Sequence, residues 1–481
     1  MVTLNEALLD QRLAALEAKR GWSPRLISKL EGHIRSADDR ALFRINPLSF
    51  AAERGLNEGE IIDLFLHATA AGLFEMNWML LCPICSGVVQ SFQRLNSVEK
   101  QYYCYPCQAG FDAKLDEYIA VAFTVSREIR DIAFHHPERL SARDYFFEYC
   151  SSCEGCLPDG TPFVRLQEAA TQQIVHLPPG QTTRVEVEVS EGSLAGISHE
   201  GGVAIFFRVA GAPATAPQHF DLVFGERVQS YDTRTVAPGR MVFDIRNDRP
   251  ERGTLLMAGM PPGYEPSLTP LSFTPFLSGK RLLTSQTFRD LFRTEVIGSS
   301  GGLGIADIAL LFTDLKGSTG LYDRIGDLNA FNLVQQHFER LQEITVRHRG
   351  AIIKTIGDAV MAAFLEPADA VKAALAMRQE IASFRPGHGG RDLILKIGIH
   401  KGAAIAVTLN DRLDYFGQTV NIAARVQHLA DADDIYLSEA VFEVPAVKAA
   451  VGDLPVETKS AKLRGILEEQ RVYRIGVGQA A

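Results

Sequence analysis

The chain has 481 residues, enough for roughly two to four domains that each bury a core. Hydrophobic residues make up 46% and charged residues 22%, an ordinary globular balance, and a net charge of −9 argues against broad electrostatic binding to nucleic acid. No apolar run reaches the roughly 18–20 residues of a membrane-spanning helix, and Met1-Val-Thr-Leu-Asn-Glu6 has neither the basic start nor the apolar stretch of a signal peptide, so a cytoplasmic protein without membrane partners is expected.

Residues 1–75 read as helical. Leu4, Leu8, Leu9, Leu13 and Leu16 keep helical spacing, and a second pattern follows Trp22-Ser-Pro24. Residues 46–55 and 57–66 then form the outline of two short helices around a Gly turn, as in a helix-turn-helix or winged helix. The second is acidic (Glu58, Glu60, Asp63), which is poor chemistry for a DNA groove.

Residues 76–165 carry the cysteines. Cys82-Pro-Ile-Cys85 and Cys104-Tyr-Pro-Cys107 are spaced as a zinc ribbon requires, each knuckle offering two thiolates to one tetrahedral ion. Four thiolates leave no open position, so the zinc is expected to be structural. A redox pair is the alternative. Cys150-Ser-Ser-Cys153-Glu-Gly-Cys156 is open to three readings: a metal site completed by His135 or His136, a redox-sensitive loop, or ordinary packed thiols.

Residues 166–275 change to strands. Thr183-Arg-Val-Glu-Val-Glu-Val-Ser190 alternates strictly, and further short candidates at 203–209, 219–224, 240–245 and 254–257 predict a β-sandwich with a scaffold, sensor or partner-binding role. Leu282–Phe292 reads as one amphipathic coupling helix capped by Thr284 or Ser285, and Gly298–Gly304 as a flexible linker; together they fill residues 276–304.

The last segment, 305–478, holds the chemistry. Asp307-Ile-Ala-Leu-Leu-Phe-Thr-Asp314 is an apolar run that ends in an acid, read as a buried strand. Gly317, Ser318 and Thr319 follow at a predicted helix start, where phosphate binds readily. Ala351–Phe364 reads as two strands joined at Thr355-Ile-Gly357, with Asp358 beside the turn. If that hairpin lies next to the first strand, Asp314 and Asp358 can share Mg²⁺ or Mn²⁺ carried in on a triphosphate.

These motifs, with Lys396-Ile-Gly-Ile-His400 and Asp414-Tyr-Phe-Gly-Gln-Thr-Val-Asn421-Ile-Ala-Ala-Arg425 in the same order, resemble the class III nucleotidyl cyclase catalytic domain over about a third of the chain. The resemblance implies an α+β fold with a ferredoxin-like βαββαβ core. It also implies two metal ions held by Asp314, Asp358 and the Leu315 carbonyl, a purine-reading pair in Lys354 and Asp414, and Asn421 and Arg425 acting on ribose and phosphate. Arg464, with Lys462 as fallback, falls where the family binds triphosphate. Adenine offers an N6 donor and an N1 acceptor, which suits a carboxylate and an ammonium, so ATP is the expected substrate. In the family, one subunit supplies the metal acids and its partner the other set, which implies a homodimer with shared sites. After His400 the family often has a small residue and glycines; Lys401-Gly-Ala-Ala here is expected to alter a loop. The helical, Cys-rich and β-rich N-terminal half resembles a regulatory region that precedes some bacterial cyclase domains, with its ligand or protein partner unidentified. The other readings are a guanylate cyclase, or a silent nucleotide sensor whose zinc module binds a partner.

Overall fold

The computed structural model describes residues 4–225, 229–260, 270–298, 301–316, 323, 326–384, 394–431, 433–466 and 469–476. Two compact units result. One comprises Met1–Arg94, Gln101–Ala113 and Tyr118–Leu277; the other comprises Leu95–Lys100, Lys114–Glu117 and Ser278–Ala481. No helix among the described residues is long and apolar enough to cross a membrane.

The first unit opens with helices Glu6–Glu17, Pro24–Ser36, Pro47–Arg54 and Glu58–Ala70. Asn5 caps the first by accepting from the Leu8 N–H at 3.2 Å, and Leu9, Leu13 and Leu16 form its buried stripe. The third stops at Gly55, whose φ of 60° suits a glycine C-cap. The helix pair expected from sequence is therefore present. Its second member buries Ile61, Ile62, Leu64, Phe65, Leu66 and Ala68. A three-stranded antiparallel sheet follows, in the order Val88–Phe92, Phe74–Leu81, Ile119–Val125.

The strand-rich part of this unit is a sandwich. Its larger sheet runs Gln229–Val236, Val203–Val209, Gly192–Ile197, Gly253–Met260, Thr171–Leu177; the smaller runs Gln218–Phe224, Gly239–Asn247, Thr182–Val189. Alternation in Thr182–Val189 is obeyed to the letter: Val185, Val187 and Val189 are buried, while Arg184 faces out and forks onto Asp244 at 2.9 and 2.8 Å. Phe207, Phe224 and Phe243 fill the space between the sheets, each stabilising the fold by about 2–3 kcal/mol.

The second unit begins with two short helices, α1 (Gly279–Leu283) and α2 (Gln286–Leu291), where one helix over 282–292 was expected. The break falls at Thr284–Ser285 because Ser278 caps α1 and Ser285 caps α2, each side chain accepting a backbone N–H three residues on. Next come β1 (Leu303–Lys316), α3 (Asp327–Arg347), β2 (Gly350–Ile356), β3 (Ala359–Phe364), α4 (Pro367–Phe384), β4 (Ile394–Leu409), β5 (Arg412–Phe416) and α5 (Gln418–His428). β6 (Ile435–Ser438), β7 (Val456–Ala461) and β8 (Gln470–Ile475) complete the sheet, ordered β2-β3-β1-β4-β6-β8-β7 with β5 on β4.

The segment β1-α3-β2-β3-α4-β4, with β1 antiparallel to both β3 and β4, is the expected βαββαβ core. Leu333, Leu341, Val371 and Met377 from α3 and α4 pack on Leu311, Ala362, Ile399 and Leu437 of one sheet face. On the other face α5 joins Val426 to Tyr436 and Val472. Two sequence expectations need correcting here. β1 starts at Leu303, within the stretch read as linker, and carries an irregularity between Ile305 and Ile308. Lys401 lies inside the continuous strand β4 rather than a loop, and its ammonium pairs with Asp307 on β1 at 2.7 Å.

Candidate active site

The register of the sheet puts the two acids at one end of it. Thr313 of β1 faces Val360 of β3, and the Thr313 hydroxyl accepts the Val360 N–H at 3.3 Å. Continued outward, that register puts Asp314 opposite Ala359, with Asp358 one residue further on, at the same end of this strand pair. The connection between β2 and β3 is the two-residue turn Gly357–Asp358, so Asp358 sits in the turn itself rather than beside it. Gly357 has φ 63°, which an L side chain at the first position of such a turn would resist. Leu315 is buried and paired with Leu395. Gly317, Ser318 and Thr319 lie outside the described residues.

Lys354 and Asp414 meet directly. The ammonium donates to Asp414 Oδ2 at 2.6 Å, and Asp414 Oδ1 accepts the Tyr415 N–H at 2.8 Å. Asp414 is buried and Lys354 half-buried. Lys354 is aimed by a feature the sequence does not announce: β2 shifts register against β3 between Ile352 and Lys354, and such bulges redirect side chains near binding sites.

Asn421 and Arg425 lie one turn apart on α5. That helix sits against β4 so closely that a Cβ on Gly398 would fall 2.1 Å from the Gln427 nitrogen, so only glycine fits there. The Arg425 guanidinium lies beside the turn at Gly465, its Nη2 at 3.4 Å from where a Cβ would stand. Arg464, in the same turn, and Lys462 are exposed. His400 is held inside the sheet by a 2.8 Å hydrogen bond between Nδ1 and the Ser438 hydroxyl. Burial pushes its pKa down to about 4, so it is neutral at physiological pH.

A family model described as "Family of unknown function (DUF5939)" matches residues 9–290, more than half of the chain. The chain belongs to the DUF5939 family. A second model, "Adenylate and Guanylate cyclase catalytic domain", matches residues 304–473, so the C-terminal part is a cyclase catalytic domain. Similar proteins include a putative adenylate cyclase 3 of Rhizobium meliloti (strain 1021), 29% identical over 136 residues, covering 28% of this chain and 22% of that protein. An adenylate cyclase of Anabaena cylindrica is 26% identical over 190 residues, covering 36% and 38%. The matched part thus spans well under half of these relatives. Among solved structures, the adenylyl cyclase CyaB from P. aeruginosa matches at 20% identity and a TM-score of 0.33, over 36% of this chain and 95% of that one.

The acids of the cyclase domain fit a divalent cation. Asp358 Oδ2 is buried with no hydrogen-bond partner among the described residues, although an unpaired carboxylate oxygen is costly unless something binds it. Hard carboxylate oxygens at the end of two strands are the donors that Mg²⁺ or Mn²⁺ takes.

The DUF5939 region holds the second centre. The sulfurs of Cys82, Cys85, Cys104 and Cys107 all lie within 4.8 Å of one another, with Cys82–Cys107 and Cys85–Cys104 both at 3.7 Å. Tetrahedral zinc–thiolate bonds of about 2.3 Å set sulfurs about 3.8 Å apart, so the cage has the dimensions of such an ion. Hydrogen bonds among the four thiols, that with Cys104 foremost, pull the Cys82 pKa far down and hold Cys85 and Cys107 high. Ser86 (φ 56°) and Gln108 (φ 50°) adopt left-handed backbone after each knuckle, closing the two turns.

His135 and His136 do not complete a site with Cys150, Cys153 and Cys156. His135 Nε2 bonds the Val125 carbonyl at 3.0 Å and His136 pairs with Asp131. Among the described residues the four-cysteine cage is the only metal-like cluster of three or more such ligands, and all seven cysteines are free thiols.

Proposed function

We propose that this chain is an adenylate cyclase, converting ATP to 3′,5′-cyclic AMP and pyrophosphate in a homodimer regulated by its DUF5939 region. The observation that carries the reading is the Lys354–Asp414 pair, 2.6 Å apart, in a domain whose Asp314 and Asp358 lie at the same end of the β1–β3 strand pair. The ribose 3′-oxygen bonds to the α-phosphorus while the α–β bridging bond breaks, and the hydroxyl proton leaves to solvent as pyrophosphate departs.

Asp414 accepts from adenine N6 and the Lys354 ammonium donates to N1. Guanine reverses both polarities and would leave the buried Asp414 and the half-buried Lys354 mispaired, so GTP is the poorer substrate. Asn421 orients the ribose. Arg425 faces the charge that builds on the phosphate, and Arg464, or Lys462 in its place, steadies the triphosphate beside Gly317, Ser318 and Thr319. Asp314, Asp358 and the Leu315 carbonyl would hold two Mg²⁺ or Mn²⁺ ions, which lower the charge on the attacking and leaving oxygens when bound.

Two separate patches on one protomer favour a shared site. Lys354 lies on β2 and pairs with Asp414 of β5, whereas Asp358 lies in the β2–β3 turn. The β4–β5 hairpin exposes the cross-strand pair Phe416 (62% exposed) and Ile405 (39%), with Leu409 nearby, a patch suited to a second copy of this chain. Regulation is supported by the two segments that flank the second cysteine knuckle, Leu95–Lys100 and Lys114–Glu117, which belong to the catalytic unit. Asp116 accepts the Ala306 and Asp307 N–H groups at 2.8 and 3.1 Å, gripping β1, the strand that carries Asp314. Seven free thiols favour a reducing, cytoplasmic location.

The zinc of the DUF5939 region is structural in this reading. Cys82→Ser is expected to abolish a zinc content of about one per chain and to lower Tm by roughly 5–15 °C, measured by metal analysis and calorimetry. A wild type that contains no zinc as purified, or a zinc-free Cys82→Ser protein with the Tm of the zinc-loaded wild type, contradicts it. The cyclase reading itself is tested by supplying ATP and GTP separately to the purified chain and identifying the product.

A further inference from the structure

We propose that Arg289 and Gln286, which lie on α2 outside every cyclase motif, are positioning residues that set the geometry of the Lys354–Asp414 pair and so the preference for adenine. The inference rests on the base-reading role proposed for that pair. Arg289 uses two arms. Nε donates to the Leu283 carbonyl at 2.8 Å, fastening the side chain to its own helix pair, and Nη1 donates to the Leu413 carbonyl at 2.9 Å. Leu413 immediately precedes Asp414, so the peptide that carries the base-reading carboxylate is held by α2.

The guanidinium also lies over the ring of fully buried Tyr415, 5.6 Å from its centroid, and the Tyr415 hydroxyl reaches the Leu283 carbonyl at 3.4 Å. Leu413 and Tyr415 are therefore both tied to α1–α2, and Asp414 is clamped between them.

Gln286 grips the opposite side. β2 is the edge strand, whose outward N–H groups need partners from elsewhere. Gln286 Oε1 accepts the Ile352 N–H at 2.8 Å, at the point where the register shift begins that aims Lys354. One helix of six residues thus fixes the backbone beside both members of the pair. Between these attachments lies a cleft of about 270 Å³, lined by Gln286 and Arg289 on one wall and by Ile352, Lys354, Arg412 and Leu413 on the other.

A side chain that merely stabilised the fold would not need this chemistry. An apolar residue could cover Tyr415, whereas only a planar fork can span two carbonyls on different elements. Lysine reaches one of them. Movement of α2 by even a fraction of an ångström would change where Asp414 and Lys354 stand relative to a purine, and buried polar contacts discriminate steeply with distance.

The test uses full-length Arg289→Ala, Arg289→Lys and Gln286→Leu proteins, with Lys354→Ala as the reference. Initial rates with ATP and GTP give kcat and KM for each. The expected result for Arg289→Ala is a rise in KM for ATP of roughly 5- to 50-fold, a narrowed ATP-to-GTP ratio of kcat/KM, and a smaller change in kcat. Arg289→Lys should fall between it and the wild type, and Gln286→Leu should move in the same direction by less. If Arg289→Ala does not fold, Gln286→Leu and Arg289→Lys decide the matter. Folded variants whose rates fall equally for both nucleotides, with KM unchanged, overturn the proposal. Lys354→Ala separates the two layers: loss of adenine preference there with none in the α2 variants removes the positioning role alone. Unchanged preference in Lys354→Ala removes the base-reading role beneath it.

Discussion

Asp358→Ala is expected to reduce cyclic nucleotide formation by roughly three orders of magnitude while leaving the fold as stable as before or slightly more so. The opposite signs follow from one observation. Asp358 occupies a turn, and its Oδ2 is buried without a partner among the described residues. It lies at the same end of the strand pair as a second acid, Asp314. In the absence of a cation a buried carboxylate oxygen without a partner carries a desolvation cost, which alanine removes. A structural acid behaves the other way, because its loss leaves its partner stranded and lowers Tm. Calorimetry with and without Mn²⁺ reads the difference directly: Mn²⁺ should raise the Tm of the wild type and leave that of Asp358→Ala unmoved. A variant that loses activity together with several degrees of Tm points to a collapsed hairpin instead.

The second large effect concerns the shared site. In the proposed homodimer, Asp314→Ala would remove a metal acid and Arg425→Ala the phosphate-facing cation, so each variant alone is expected to be nearly silent. Mixed in equal amounts and allowed to exchange, half of the dimers carry one of each chain, and each of those has one intact site. Activity should therefore return to about a quarter of the wild-type value. The two residues lie on separate elements: Asp314 is on β1, and Arg425 sits on α5 beside the Gly465 turn. Mixed dimers shown by tagging to have formed, yet no more active than the parents, would mean that each protomer completes its own site.

Much of this was legible in the sequence, and for identifiable reasons. Strict alternation marked Thr182–Val189 because one face is buried against the other sheet and the other is wet. The cysteine spacing anticipated a four-thiol cage because two Cys-x-x-Cys turns have little else to do in a reducing setting. Asp314 on β1 and Asp358 at the β2–β3 turn could be located because an apolar strand and a glycine turn fix their places in the chain. What escaped had no local signal. The break between α1 and α2 depends on two serine caps competing with a continuous apolar pattern. The Lys401–Asp307 pair and the Asp116 grip on β1 join residues far apart in the chain, where no periodicity connects them. Three strands of the sandwich, Thr171–Leu177, Gly192–Ile197 and Gln229–Val236, lack a clean alternation, two of them holding polar or small residues where an apolar one would have marked the strand.

The central claim is that this chain makes cyclic AMP from ATP. Purified full-length protein in Mn²⁺, supplied with ATP or with GTP and its products resolved by mass, tests it most directly. Cyclic AMP with stoichiometric pyrophosphate from ATP, with a much smaller yield of cyclic GMP from GTP, is the predicted result. Preferential formation of cyclic GMP, or no cyclic product from either nucleotide in a folded dimer that binds Mn²⁺, would contradict it.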